Sequence, residues 1–467
     1  MAKAPFSSPQ TFIGTCRSLS YLGLGEVPLE EGIVYVPDFY PGEEGEISLD
    51  YRRNGQWFGT IRSLHKKSSD RIPSLCPHFL SCGGCLFQDY AYAAEERHKQ
   101  RLIENQFRRL SGITVNVLPP LCMDNPVHYR NKIQAHFGLS STMKPVLGFY
   151  RQGTHEVIPI TDCQIQDERA KPILETALQI TKDLRIPIYR EDKKQGFLRH
   201  LLIRTSWKKN EILVVLVTKQ KDFPHQAEWV SRFQKSLPQV TTLVESIRHQ
   251  DDNVILGDEE KILFGPGYIE DVLCGLTFRI SARSFYQTNP IMTEKLYETA
   301  ISFALLTGKE VVLDAYSGIG TIGLIAARHA KKVWSVESVK EAVKDAKENA
   351  IRNHIANFEE VEDDATHYLE EMAKRKEHLD VLFMDPPRKG STPAFLAAAK
   401  ALQPKRIVYV SCGPSSLARD VKSLLDTYQI DKVQPVDLFP RTEHVETVVS
   451  LKVRQNRRNE RMVDISN

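Results

Sequence analysis

From about residue 285 onward the chain alternates between short β-branched runs and helical stretches, and this alternation restricts the fold more than any other feature. The spacing predicts a strand over Val311–Asp314, a helix over Thr321–His329, a strand over Lys332–Glu337 and a helix over Lys340–Asn353. Further strands are expected at Asp380–Asp385 and Arg406–Ser411, with a helix between them. Parallel strands need a long crossover, usually a helix, so the pattern implies an α/β fold with a doubly wound parallel sheet. Ligands of such sheets bind outside the carboxyl ends of the strands. Residues at those ends are therefore the first candidates for chemistry.

Two other regions come before it. Residues 10–66 hold short β-rich runs between glycine and proline turns, such as Gly32–Pro37, Glu44–Leu49 and Trp57–Arg62. They suit a small antiparallel OB-like β-barrel, a frequent nucleic-acid platform. Arg52, Arg53, Arg62, Lys66 and Lys67 could face RNA there, or simply form a solvated surface. Residues 67–270 read as a central α+β region. It has a cysteine-bearing loop over 68–90, a helix over 93–110 carrying Arg97, Lys99, Arg101, Arg108 and Arg109, and strand-like runs Leu201–Thr205 and Ile212–Val217. Residues 271–467 make the alternating region, and the last of them, from Arg454, read as a polar tail.

A net charge of +3 gives no global field for a polyanion, so any nucleic-acid contact must come from local patches. Ile212–Thr218 is too short to span a bilayer, and Met1–Ser8 lacks the pattern of a signal peptide, so a cytoplasmic location with no membrane partner is expected. In a reducing compartment the eight cysteines point to metal, catalysis or burial instead of disulfides.

Gly318-Ile-Gly-Thr-Ile-Gly323 matches GxGxxG after a strand and at the opening of a helix. Dinucleotide enzymes share that loop, so the surrounding carboxylates must discriminate. Asp314, four residues before Gly318, would repel a pyrophosphate but can hold the ammonium of a methionine moiety. Glu337, ending the next strand, can accept both ribose hydroxyls. Asp364 can accept from an adenine amino group. Together with Gly318 and Gly320 they favour S-adenosylmethionine over a nicotinamide cofactor. In Asp385-Pro-Pro-Arg-Lys-Gly390 two prolines stiffen the turn that projects Asp385. Gln287, in Ser284–Asn289, would be a polar lid contact.

Cys412 follows the strand Arg406–Ser411 and precedes the sharp turn Gly413-Pro414. A lone cysteine is more often a packing residue. Its place opposite a methyl-donor loop suggests a nucleophile for a pyrimidine instead: thiolate attack at C6 turns the poorly nucleophilic C5 of uracil into an enolate carbon. The C5 proton must then be removed, a task for Glu446, with Glu443 in reserve. His444 lies between them and reads as a local hydrogen-bonding residue.

Cys76, Cys82 and Cys85 form the trio Cys-x5-Cys-Gly-Gly-Cys, and Cys163 can supply a fourth thiolate. Four thiolates suit zinc or an iron–sulfur cluster, and spacing alone leaves both open. Cys16, Cys122 and Cys274 read as packing residues, and His78 as a bystander. His128–Lys132 and Phe149–Arg151 interleave aromatic and basic residues, a pattern suited to stacking and neutralising unstacked RNA. The target base would have to be extruded to reach Cys412.

Through Ser284–Asn289, Asp314–Gly320, Asp385–Gly390, Ser411–Asp420 and Phe439–Glu446 the chain resembles the RNA uracil-5 methyltransferase family, in its branch with an N-terminal TRAM domain and an iron–sulfur cluster. The resemblance runs over nearly the whole chain. It implies a class I methyltransferase fold, Cys412 as nucleophile, Glu446 as base, and S-adenosylmethionine contacts from Gln287, Tyr316, Thr321, Glu337, Asp364 and Asp385. It also implies a [4Fe–4S] cluster on Cys76, Cys82, Cys85 and Cys163, a monomer, and 23S ribosomal RNA as substrate. Ser317, Thr321 and Ser416 stand where the family often has cysteine, asparagine and threonine. Transfer RNA as substrate, or an RNA-binding assembly factor with an inert pocket, are the alternatives.

Overall fold

The computed structural model describes residues 10–454 apart from 31 and 253; the expectations for Met1–Ser8 and for the tail beyond Arg454 lie outside these residues. The C-terminal sheet has seven strands in the order Phe358–Glu362, Lys332–Glu337, Val311–Ala315, Val381–Met384, Arg406–Ser411, Glu446–Val453 and Tyr428–Val436. The first five are parallel. Glu446–Val453 runs antiparallel to both of its neighbours, Arg406–Ser411 and Tyr428–Val436, so the expected parallel sheet carries one reversed strand. The cause is local: the short connection from Val436 to Glu446 cannot carry a crossover helix, so these neighbours must pair antiparallel.

The sheet is buried on both faces, which is why its strands read as apolar runs. Alternate residues of each strand enter different cores. Val312, Phe383, Val408 and Val410 join Leu296 of the helix Pro290–Ala304 and Leu324 of the helix Thr321–Ala327. Leu313, Leu382, Met384, Ile407 and Tyr409 join Leu369, Phe395 and Leu417 of the helices Ala365–Arg375, Pro393–Leu402 and Pro414–Leu424. Leu102, Ile103 and Phe107 belong to that second core too, so residues far upstream cover one face of the sheet. Each such side chain contributes about 1.5–3 kcal/mol when fully buried. The upstream helix spans Tyr92–Gln106, shorter than the expected 93–110. It continues as a wider turn over Phe107–Ser111 and stops at Gly112, whose φ of 73° only glycine adopts cheaply.

The central sheet also has seven strands: Glu259–Phe264, Thr242–Ile247, Ile212–Thr218, Leu198–Thr205, Lys132–Leu139, Pro145–Tyr150 and Val157–Pro159. Leu198–Thr205 and Ile212–Thr218 are buried throughout, under the helices Ala170–Asp183 and Gln226–Ser236. The N-terminal sheet has six strands around a core of Val27, Val34, Val36, Phe39, Ile47 and Trp57. It is not wholly antiparallel as expected, because Gly32–Val36 pairs parallel with Gln56–Lys66. Among the described residues no helix is long and apolar enough to cross a membrane.

Candidate active site

The C-terminal sheet winds outward from Val311–Ala315 through Lys332–Glu337 to Phe358–Glu362, then resumes on the other side at Val381–Met384. That reversal opens a crevice at the carboxyl ends of the strands. The candidate residues from Asp314 to Thr321, with Glu337, Asp364, Asp385 and Cys412, all fall at that edge.

The loop after Val311–Ala315 is tight because Tyr316, Gly318 and Gly320 all have positive φ, at 63°, 57° and 78°. Glycine adopts this freely, but a tyrosine there costs on the order of 1–2 kcal/mol. Its hydroxyl is fixed 2.8 Å from Ser391 Oγ and its ring packs 5.4 Å from Phe395, so the surroundings hold it. The loop amide of Gly318 donates to Glu337 Oε2 at 3.0 Å, while Glu337 Oε1 accepts from Val339 N at 2.9 Å. Asp314 Oδ2 accepts from Gly323 N at 2.7 Å, tying the strand to the first turn of the next helix. A side chain at Gly323 would come within 2.8 Å of that carboxylate oxygen. The third glycine thus allows close packing.

Burial pushes the Asp314 carboxyl up to about 8, with Asp385 and Glu337 adding negative charge and the Gly323 amide opposing. Asp385 is pushed up to about 7 by burial. These acids lack a cation, and a cationic ligand would restore their charge. Asp364 is exposed and caps the helix Ala365–Arg375 through Oδ1, which accepts from Thr366 N and His367 N. Gln287 is half-buried on a loop gripped by Asn131, whose N donates to Thr288 O at 2.9 Å and whose Nδ2 donates to Gln287 O at 3.1 Å. The fully buried Tyr297 phenol takes part in hydrogen bonds with both Thr321 and Gln287 and feels Asp385 and Asp314. Sequence reasoning missed Tyr297, because a tyrosine inside an amphipathic helix carries no motif.

Cys412 and Glu446 meet through strand register. Ser411 pairs with Thr447 across the antiparallel strands, so Cys412 leaves one strand beside the point where Glu446 enters the other. The half-buried Cys412 thiol is pushed up to about 11 by burial, then by the charges of Glu446 and Asp385, while Arg388 pulls it down. Glu446 is 5% exposed and is pushed up to about 8 by burial and Asp385, again opposed by Arg388. A thiol, two carboxyls and a guanidinium therefore share one field. Arg388 stood in a quoted motif without being chosen. Its Nη2 lies 3.3 Å from His444 Nε2, and burial holds that imidazole below its usual value.

The segment leading to Glu446 is anchored from upstream. Lys99 Nζ donates to Glu95 Oε1 and Asp437 Oδ1, both at 2.7 Å, with all three side chains fully buried. Lys99 is thus no part of a basic surface. Tyr92 OH donates to Asp437 Oδ2, Arg441 N donates to Glu95 Oε1, and Leu86 N and Phe87 N both donate to Arg441 O. Tyr129 was expected to stack on RNA. It is instead 2% exposed, with its hydroxyl donating to Pro440 O at 2.9 Å, because the apolar ring fills the core beneath this segment. Phe149 is half-buried.

Cys76, Cys82, Cys85 and Cys163 line one cavity of about 650 Å³, together with His78, Arg130, Lys132 and Phe149. Burial pushes Cys85 up to about 12 and raises Cys82 and Cys163, and the neighbouring thiols reinforce each shift. Gln88 Nε2 donates to Cys85 Sγ at 3.4 Å, the kind of contact that supports a thiolate ligand. The donor set is all sulfur and suits a soft metal or a cluster. Among the described residues, no group of three or more His, Cys, Asp or Glu is set as a metal-holding cluster. Cys16, Cys122 and Cys274 lie outside this cavity, and Cys16 is fully buried.

Residues 205–454 match the family described as tRNA (Uracil-5-)-methyltransferase. An uncharacterised RNA methyltransferase of Halalkalibacterium halodurans is 38% identical over 454 residues, covering 97% of this chain and 99% of that protein. Another from Staphylococcus aureus is 38% identical over 436 residues, covering 93% and 96%. The crystal structure of Pyrococcus abyssi tRNA (uracil-54, C5)-methyltransferase with S-adenosyl-L-homocysteine superposes with a TM-score of 0.74 at 25% identity, over 94% of this chain and 100% of that one.

Proposed function

The chain belongs to the tRNA (uracil-5-)-methyltransferase family, and on that premise we propose that it methylates C5 of a uridine in RNA through a covalent Cys412 adduct. The methyl donor is S-adenosylmethionine, whose demethylated product occupies the Pyrococcus abyssi enzyme. The observation that carries the mechanism is the Ser411–Thr447 register, which brings a thiol and a buried carboxyl to one end of two neighbouring strands.

When bound, S-adenosylmethionine supplies an electrophilic methyl group on a positive sulfonium. Asp314, Asp385 and Glu337, with Gln287, Tyr316, Thr321 and the Gly318–Gly320 loop, are the residues that would hold it, and Asp364 borders the adenine side. Cys412, once deprotonated, forms a bond to C6 of the uracil, and the C5–C6 π electrons move toward the C4 carbonyl oxygen. C5 then bonds the methyl group as the carbon–sulfur bond of the donor breaks. Glu446, as carboxylate, removes the proton from C5. The returning electrons expel the Cys412 thiolate and regenerate the ring. Arg388 would favour the ionised forms of both groups, since it opposes each upward shift.

Cys76, Cys82, Cys85 and Cys163 would hold a [4Fe–4S] cluster with a structural task, fixing the cysteine loop against the segment that carries Glu446. The substrate we propose is 23S ribosomal RNA, read by the N-terminal TRAM-like barrel and the central region in a cytoplasmic monomer. The Pyrococcus abyssi neighbour acts on transfer RNA and favours that as the second reading. Ribosomal RNA transcripts carrying 5-fluorouridine test the mechanism, because fluorine cannot leave as a proton and the adduct accumulates. A denaturation-stable complex is expected with the wild type and none with Cys412→Ala; an undiminished complex in the variant rejects it. Mapping 5-methyluridine in ribosomal and transfer RNA from cells lacking the protein decides the substrate.

A further inference from the structure

Beside the cysteine-lined cavity lies a second one of about 590 Å³, and the two share Tyr150 and His155 as a common wall. The mechanism above makes no use of it. His136, Tyr150 and His155 form a column of rings at its side, with centroid spacings of 3.9 and 5.2 Å and interplanar angles of 24° and 30°. The column begins at the half-buried ring of His136 and ends at the exposed ring of His155. Such a stack is a platform that a further flat ring can extend.

The polar groups around it suit the edge of a nucleobase. His136 Nδ1 and His200 Nδ1 lie 3.0 Å apart, so one ring donates and the other accepts. Burial holds the two imidazoles down to about 4 and about 3, so both are neutral at pH 7. Bonded in this way, the pair retains one Nε2–H donor and one Nε2 lone pair. Among the described residues neither Nε2 has a hydrogen-bond partner in the protein. The exposed rim carries Glu191, whose carboxylate oxygens lie 3.4 Å from the Tyr150 hydroxyl and 3.0 Å from His155 Nδ1, and Asp192, which pairs with Arg190. Rim carboxylates disfavour a phosphate but accept readily from an exocyclic amino group.

The ring column bordering the cavity also lies along a track leading from the Gln287 loop. Lys132, Gln134 and His136 share one face of the strand Lys132–Leu139, since side chains alternate along it. Lys132 follows Asn131, which grips the loop of Gln287; His136 stands about 14 Å farther along at ~3.4 Å per residue. We propose that this second cavity is a subsite for one unstacked base with an exocyclic amino group, on the same RNA strand as the target uracil and a few nucleotides from it. The proposal rests on the RNA methyl-transfer reading above.

The test uses His155→Ala and Glu191→Gln, both at exposed positions, with Tyr150→Leu as the stronger variant. Two measurements are made: methylation kinetics on unmodified ribosomal and transfer RNA transcripts, and binding of short oligoadenylate, oligocytidylate and oligouridylate. The expected result is a KM raised about 5- to 100-fold with kcat unchanged, a range that follows from the loss of one stacked base. The adenylate and cytidylate preference over uridylate should shrink in every variant, most in Glu191→Gln, which removes the rim carboxylate that accepts from the exocyclic amino group. Unchanged KM with an unchanged base preference, or a fall in kcat alone, overturns the subsite and leaves the mechanism standing. If the wild type methylates neither RNA, the mechanism fails, and the oligonucleotide preference still decides the subsite.

Discussion

The carboxyl edge of the C-terminal sheet and the cysteine-lined cavity both gather buried titratable groups, yet they are held in different ways. At the sheet edge Asp314, Glu337 and Asp364 each accept from backbone amides, and strand register sets Cys412 against Glu446. In the cavity three of the four thiols sit between residues 76 and 85, where there is neither helix nor strand, and Gln88 donates a hydrogen bond to Cys85. A regular sheet therefore prepares its site before any ligand arrives. The thiol set would gain its order from the cluster proposed for it.

If this contrast is right, damage at the edge removes chemistry while leaving the fold, and damage at the cavity loosens the fold first. The largest effect is expected for Cys412→Ala, with methyl transfer down by at least about 10⁴-fold and no 5-fluorouridine adduct, at an unchanged melting temperature. Glu446→Gln should lower turnover by roughly 10²–10⁴-fold while the adduct with ordinary RNA accumulates, visible as a slow band on a denaturing gel. A variant that loses the adduct as well would assign Glu446 to thiol activation. Lys99→Met removes the ammonium that Glu95 and Asp437 share in the interior and should cost about 3–5 kcal/mol in urea unfolding. Cys163→Ser should yield anaerobically purified protein that is colourless and low in iron, with activity reduced only about tenfold through a looser Glu446 segment; the wild type should be brown with four irons per chain. Zinc in the wild type would break the cluster assignment.

The smallest effect is a pH dependence of stability. Asp314 and Glu446 have their carboxyls raised to about 8 in the folded protein, against about 4 in an unfolded chain. Between those values the folded state holds more protons, so stability falls as pH rises through the window. The melting temperature should drop by several degrees from pH 5.5 to pH 8.5. Asp314→Asn should flatten the slope, and S-adenosylmethionine should flatten it more than its demethylated product, which lacks the sulfonium charge.

Much of this edge was legible in the sequence, because each motif ends a strand and the alternation dictates which ends share a face. Val311–Ala315, Lys332–Glu337 and Arg406–Ser411 emerged within a residue of expectation. The antiparallel pair Tyr428–Val436 and Glu446–Val453 did not, since its second member begins at the last residue of the motif Phe439–Glu446. Lys99 and Tyr129 show why local composition misleads. Both stood in basic runs, Tyr129 in one that suggested an RNA surface, and both are buried by partners more than 300 positions away. Arg388 and Tyr297 escaped for the same reason: their roles depend on which elements converge on them.

The bond between Lys99 and Asp437 spans 338 positions. On the ribosome, the ammonium of that helix must wait in water until Asp437 has emerged, so the helix Tyr92–Gln106 cannot complete its packing as it is made. Premature termination before Asp437 would leave Lys99 without one of its two carboxylate partners and Leu102 and Ile103 uncovered, a ready target for quality control. Closure of the chain upon itself thus ties this upstream helix to the segment that leads to Glu446.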